Sequence, residues 1–428
     1  MDDIKVKRSL KQLVKSIKED CVETLSVPEQ DRIYYYSKLF FFFISFLFGY
    51  QYILYGCYWI IAGLLTKQGL VDLMGKPLGS DFVAFYAASK LALNGEPAAI
   101  YSISKLHVIE KLVIGADVGL RPWHYPPSFL TIVLPLSLFP YGLSFALWIL
   151  STLYGYLRIV RKIAPHRLTP WLFLAFLPAI SNLFYGQNGF FSTILLGGGL
   201  LLLDSRPFTG GLLLGVLSYK PQLAILIPVA LLAGRNWRAL IGAAVSSISL
   251  ALISLIVFGV ATWKAFLHNI PYATELLKYH QEYWIKMPTI FANARLMGAG
   301  LAVAEILQLA IALVALGVVA WIWSRRLSLA LRASSLTLAI FLTAPFAFEY
   351  DLALIALPFA WLGWEEVSTG RRTGQRILAA CWLATYSAIW LPGLNVSLLY
   401  VLPMFGLVIY RSLPGLSLEK TGPQLRPD

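Results

Sequence analysis

The chain is short of charge. Only 13% of its 428 residues are Asp, Glu, Lys or Arg, about half the share usual in a soluble globular protein. With 58% hydrophobic residues and a mean hydropathy of +0.69, too little polar surface is left to face water on every side. An ordinary soluble domain is excluded, and lipid must cover most of the surface. Cysteine is scarce as well. Cys21, Cys57 and Cys381 fall in the N-terminal segment and in apolar runs, with no spacing of a disulfide framework or a metal site. An Asp-x-Asp pair of the nucleotide-sugar type is missing, and no cofactor is indicated. The first 35 residues are charged throughout, so they do not read as a cleavable signal peptide.

What remains in quantity is apolar runs and basic loops. The net charge is +13, which in a soluble protein would suggest nucleic acid. Here Lys and Arg sit in short loops between apolar runs, as the positive-inside bias places them, so a nucleic-acid partner is not expected. The pattern predicts an all-α polytopic membrane protein with about 11–13 transmembrane helices. Residues 1–35 form a cytoplasmic N-terminal segment, amphipathic over 4–25 and suited to an anionic membrane surface. The membrane domain covers 36–411, and 412–428 form a cytoplasmic tail. Alternating basic clusters (Arg158/Arg161/Lys162, Arg206, Arg235/Arg238, Arg325/Arg326 and Arg371/Arg372/Arg376) mark the inner face. The outer face receives a first loop over 63–125, a second over 259–295, and the short connections at Tyr185–Gly189, Tyr219-Lys220, Phe348–Asp351 and Pro392–Asn395. Within the first loop, 81–93 and 103–115 read as helices, the former closed by Asn94-Gly95. Residues 126–158, rich in proline at the start, read as a half-pass followed by a full pass.

Polar side chains beside apolar helices are costly, and each is a functional candidate. Asp81 follows Gly79-Ser80; Arg121, His124 and Tyr125 precede Pro126-Pro127; Gln187 and Asn188 stand in a Gly-Gln-Asn-Gly turn; Lys220 precedes Pro221; Glu349 and Asp351 flank Tyr350. Each has a plain reading too. Asp81 could cap a helix, Lys220 could reach to headgroups, Gly-Gln-Asn-Gly could be a tight turn, and Glu349 or Asp351 could pair with Arg295. Their convergence on one face fits a lipid-phosphate-linked sugar. A cation, Lys220 or Arg295, would stabilise the phosphate as it leaves. A carboxylate, Asp81, would take the proton of the acceptor hydroxyl, and the product would be inverted.

These residues resemble a known family. Gly79-Ser80-Asp81-Phe82 with Tyr86, Leu93-Asn94-Gly95, Ile100-Tyr101, Tyr125-Pro126-Pro127, Gly186-Gln187-Asn188-Gly189, Gly210-Gly211 through Gly215, Tyr219-Lys220-Pro221, Ala344-Pro345 and Tyr350-Asp351 occur in the order of glycosyltransferase family 87. The resemblance implies a GT-C-like fold and transfer of a hexose, by default mannose as in the family's α-1,2-mannosyltransferases. The implied donor is a polyprenyl-phosphate sugar, and the acceptor a lipid or glycan at the outer face of a bacterial plasma membrane. It implies Asp81 as general base, with Gln187, Asn188 and Lys220 near the donor phosphate. Two departures bear on sugar and acceptor: Ala344-Pro345 is followed by Phe348-Glu349-Tyr350-Asp351 rather than by histidines, and Met287-Pro288-Thr289 replaces an Asn-x-Ser-Leu pattern. The competing expectation is a polytopic transporter or a lipid or glycan flippase, which would place its charges near mid-membrane.

Overall fold

The computed structural model describes residues 29–391 and 395–413. The N-terminal segment expected over 4–25, the tail beyond 413 and most of the loop Pro392–Asn395 lie outside the described residues. The chain divides into two units, Met1–Phe48 and Gly49–Asp428. Apart from the start of the helix Ser37–Thr66, the residues discussed below belong to the second.

The apolar runs fold as helices because a chain in lipid must satisfy its backbone hydrogen bonds internally. Among the described residues there is no strand, only an isolated bridge between Val71 and Pro77. Among the described residues, four helices are long and apolar enough to cross a membrane: Ser37–Thr66, Tyr141–Ile163, Trp237–Tyr279 and Leu301–Trp323. The other expected passes are shorter. Apolar helices of 10–17 residues stand at several of them, among them Gly189–Leu202, Pro207–Tyr219, Pro221–Ala233 and Leu329–Thr343. Proline sets several of these limits, since it cannot donate the bond that would continue the preceding helix. The chain is thus an all-α, multi-pass membrane protein.

Two local expectations hold closely. The stretch expected as the first outer loop folds into Phe82–Leu93 and Ile103–Ile114, with Asn94 closing the former and Gly95 at φ +83. After Tyr125, the apolar segment Pro127–Leu138 is too short to cross and Tyr141–Ile163 is long enough, a half-pass and a full one. The stretch 259–295, expected as a loop, is largely helical. The helix beginning at Trp237 ends at Gly259 (φ 77, ψ 166), as expected, and a second helix runs on from there to Tyr279; Ile290–Leu296 adds a further one.

Packing is set by composition. Phe82–Leu93 is apolar all round and buried nearly throughout, as such a helix must be. Phe85 anchors it, with its ring 5.1 Å from Phe129, 5.7 Å from Tyr125 and 6.1 Å from both Trp123 and Trp148. Burying one such side chain stabilises by about 1.5–3 kcal/mol, and each aromatic pair adds about 0.5–1.5 kcal/mol. Elsewhere Gly211 and Gly215 let Pro207–Val216 close on the helix from Trp237. A β-carbon there would sit 2.0 Å from the Ala239 carbonyl and 2.1 Å from that of Ala243, the small-xxx-small contact of membrane helices. Near the C-terminal end of Ala356–Ser368, Glu366 accepts from Arg411 at 3.0 and 2.8 Å and lies 3.7 Å from Arg371. Arg332 reaches Asp204 at 3.5 Å. Several of the basic residues are therefore held by acids at the helix ends away from Asp81.

Candidate active site

The backbone leading to Asp81 is fixed from three directions. The Tyr141 hydroxyl donates to the Leu78 carbonyl at 2.5 Å, Arg121 Nε donates to the Ser80 carbonyl at 3.1 Å, and the Asp81 N–H donates to the Tyr185 carbonyl at 2.9 Å. Asp81 stands at the N-cap of Phe82–Leu93 but makes no side-chain cap hydrogen bond. Its carboxylate is turned to other partners. Oδ2 accepts from Gln187 Nε2 at 3.1 Å, Oδ1 accepts from Ser80 Oγ at 3.3 Å, and Arg121 Nε lies 3.6 Å from Oδ1. The side chain is 27% exposed, so an incoming hydroxyl can reach it.

A directed chain of hydrogen bonds runs from this carboxylate into the protein. The Tyr125 hydroxyl donates to Gln187 Oε1 at 3.2 Å and accepts from Asn188 Nδ2 at 2.9 Å. Asn188 Oδ1 accepts from Lys220 Nζ at 3.1 Å, and Lys220 donates in turn to Asp351 Oδ1 at 2.5 Å. Only one orientation of each amide satisfies this sequence of donors and acceptors. Linked bonds of this kind polarise and stiffen one another. Lys220 is 2% exposed and Asp351 not at all; Asp351 Oδ2 also accepts from the Phe348 N–H at 3.1 Å. The ammonium lies 4.6 Å from the centroid of the Tyr350 ring and 5.7 Å from that of Tyr125.

The local sequence explains how these side chains meet. Gly186, in the left-handed region at φ +70, ends the helix Leu177–Tyr185, so Gln187 and Asn188 emerge before Gly189–Leu202 begins. The turn is present, but its two amides reach Asp81, Tyr125 and Lys220 rather than only closing it. Pro221 stops the preceding helix and leaves Lys220 at φ −131, turned to the interior. Gly189 permits the last approach. A β-carbon there would lie 2.3 Å from the Tyr350 carbonyl and 2.6 Å from Asn182 Oδ1. Gly189→Ala is therefore expected to push the Glu349–Ile355 turn outward and to lower stability by about 1–3 kcal/mol. Thermal unfolding in lipid nanodiscs reads this directly, and an unchanged midpoint would mean the close approach is not obligatory.

The remaining expected site residues divide. Tyr350 lies against the chain just described. The Tyr86 hydroxyl instead donates to the Phe139 carbonyl at 2.8 Å, and its ring packs with Phe82 and Tyr141; it belongs to the support. Neither ring nitrogen of His124 has a hydrogen-bond partner, and burial lowers its pKa to about 4, leaving a neutral imidazole beside Tyr125. Glu349 is held by its N–H to the Lys286 carbonyl at 2.9 Å, with Tyr185 bonded to its carboxyl, and burial raises its pKa. Arg295 is not brought to this chain. Its guanidinium stacks over Trp284 at 4.5 Å and donates to the Ala299 carbonyl at 2.8 Å, beside the cluster of Leu277, Trp284, Met287 and Phe291. The alternative pairing of Arg295 with Asp351 is replaced by the Lys220 pair.

Two groups emerge that sequence reasoning left without a role: Arg121 as the cation beside Asp81, and Glu110. The latter had a signal. Leu106, Glu110 and Ile114 share the buried stripe of Ile103–Ile114, an acid at an apolar position of a helical repeat. Among the described residues, no three His, Cys, Asp or Glu side chains gather as a metal site.

Set beside known proteins, the sequence pattern of glycosyltransferase family 87 matches residues 123–346, just over half of the chain. The matched part carries Tyr125, Gln187, Asn188 and Lys220 and stops short of Asp81 on one side and Asp351 on the other. No curated protein and no solved structure matches the chain.

Proposed function

The chain belongs to glycosyltransferase family 87, and from that premise we propose that it transfers a hexose, by default mannose, from a polyprenyl-phosphate donor to a lipid or glycan hydroxyl. Membership makes it a membrane glycosyltransferase; donor class, chemistry and side are the proposal. The observation that carries it is Asp81: a partly exposed carboxylate at the head of a helix it does not cap, held by Gln187 instead.

In this reading the acceptor oxygen attacks the anomeric carbon while the carbon–oxygen bond to phosphate breaks. The hydroxyl proton passes to Asp81, and polyprenyl phosphate leaves with the bonding pair. A phosphate monoester is a competent leaving group that needs stabilisation of its charge rather than a proton. Asp81 and Lys220 stand at opposite ends of the amide and tyrosine chain; with a sugar between them, base and leaving-group cation would act from opposite sides, as in an inverting displacement. Two protons of Lys220 are engaged by Asp351 and Asn188, and the third remains for a phosphate oxygen. Because Asp351 offsets its charge, attraction of the phosphate rests on that N–H more than on net charge. Gln187, Asn188, His124, Tyr125 and Tyr350 line the way between, with Glu349 beside Tyr185. Arg295, outside the chain, takes no part in this step. A GT-C architecture, a bacterial plasma membrane and a reaction on its periplasmic or extracellular side complete the proposal.

The test uses purified protein in nanodiscs with a lipid extract as acceptor. Radiolabel is offered as polyprenyl-phosphate mannose, glucose or galactose and, in parallel, as the corresponding nucleotide sugars. Transfer from a polyprenyl-phosphate sugar alone is expected; transfer from a nucleotide sugar alone would sink the donor assignment.

A further inference from the structure

Beneath the Arg121–Asp81 pair lies a second carboxylate. Glu110 is fully buried, on the stripe where Leu106 and Ile114 are also buried. Both its oxygens accept from the main-chain N–H of Arg121, each at 3.2 Å, and Oε2 lies 3.3 Å from Nδ1 of His107. That is thin satisfaction for a carboxylate, which offers about four acceptor sites, and a buried charge so poorly paired is costly. A leucine would fill this place in the stripe at less cost to the fold. The same Arg121 sends Nε to the Ser80 carbonyl at 3.1 Å and stands 3.6 Å from Asp81 Oδ1. One residue thus links Glu110 to the turn that carries Asp81.

We propose that Glu110 is a positioning residue for Asp81: it anchors the main chain of Arg121, which holds the Gly79-Ser80-Asp81 turn, and its negative charge offsets the guanidinium that would otherwise weaken Asp81 as a base. This rests on Asp81 being the base. The groups facing Glu110 are His107 on its own helix, Arg121, Asp81, and Tyr141 from the helix behind it. Nearby charges are engaged elsewhere: Lys105 with Glu96, Lys111 with Asp117, and Lys90 over the Tyr86 ring. Burial, the largest influence, raises the Glu110 pKa to about 7, against the lowering effect of Arg121. Glu110 is therefore charged above neutrality and neutral below it. Transfer should fall as pH drops through that range, while an ordinary aspartate would still be ionised.

Linkage gives the opposite sign for stability. A carboxyl whose pKa is raised on folding makes the folded state less stable as pH rises from its ordinary range toward about 7. Glu110→Gln should thus be no less stable than the parent at pH 8, yet lower kcat about tenfold with KM little changed. Its acid limb near neutrality should be gone. Asp81→Asn, assayed alongside, separates the two readings. If it is fully active, the base assignment fails; if it is inactive while Glu110→Gln keeps parental kcat and pH profile, only the Glu110 role fails. A measurement that needs no turnover is pH-difference infrared spectroscopy of the full-length protein. A buried carboxyl band titrating near neutrality and missing from Glu110→Gln is expected. Its absence from the parent would overturn the proposal, as would an acid limb in the parent at ordinary carboxylate pH.

Discussion

Asp81→Asn should abolish most sugar transfer, lowering kcat by about 10²–10⁴-fold, the range general-base catalysis commonly supplies, while leaving the fold intact. The substitution is nearly isosteric. Its amide oxygen can still accept from Gln187 Nε2, which now lies 3.1 Å from Oδ2, so the amide chain toward Lys220 keeps its order. What disappears is the ability to take a proton. Little stability is at stake, because the side chain makes no helix cap and the Arg121 contact at 3.6 Å is partly exposed. Such pairs contribute about 0–1 kcal/mol. A mutant with parental unfolding and parental donor binding but no transfer is the expected phenotype. Full transfer by the mutant would move the base elsewhere. Glu349 would then be the next carboxylate to test, since it is close enough for Asp81 to raise its pKa.

Much of this arrangement could be read from local sequence, and the exceptions share a cause. The helix Phe82–Leu93 announces itself by continuous apolar residues closed with Asn94-Gly95. The half-pass before Tyr141 follows from Pro126, Pro127, Pro135 and Pro140. The second helix, from Gly259 to Tyr279, was hidden because Lys264, His268 and Asn269 dilute its hydrophobicity and Pro271 is an ordinary sign of an ending. Gly259 does end the Trp237 helix, whereas the helix after it passes Pro271. The site residues were legible one at a time, as costly polar groups beside apolar runs. Their connections were not. Lys220 and Asp351 are 131 residues apart, and nothing in the neighbourhood of either names the other. Arg295, an attractive cation by sequence, is drawn away by Trp284, which stands eleven residues earlier in the chain. Glu110 is the instructive miss: its place on an apolar stripe was visible, but an acid between Leu106 and Ile114 acquires meaning only once Arg121 is seen folded against it.

The Lys220–Asp351 pair permits a test in which stability and chemistry part company. Lys220→Met should destabilise by about 3–5 kcal/mol, because it leaves a buried carboxylate without its cation. Asp351 would keep only the Phe348 N–H, at 3.1 Å, and Asn188 Oδ1 would lose its donor. Asp351→Leu should cost a similar amount by stranding the ammonium. The double variant Lys220→Met/Asp351→Leu removes both charges at once. It should regain most of the lost stability, since well-packed apolar residues commonly replace a buried ion pair at little cost. Transfer should not return with it. Without Lys220, no proton remains for the leaving phosphate, and Asn188, at the inner end of the chain that reaches Asp81 through Tyr125 and Gln187, loses the donor that holds its Oδ1. Unfolding midpoints in nanodiscs and transfer rates on the same preparations decide the matter. If the double variant recovers transfer along with stability, the pair only holds the fold. If the single variants are as stable as the parent, the pair is not carried as buried charge.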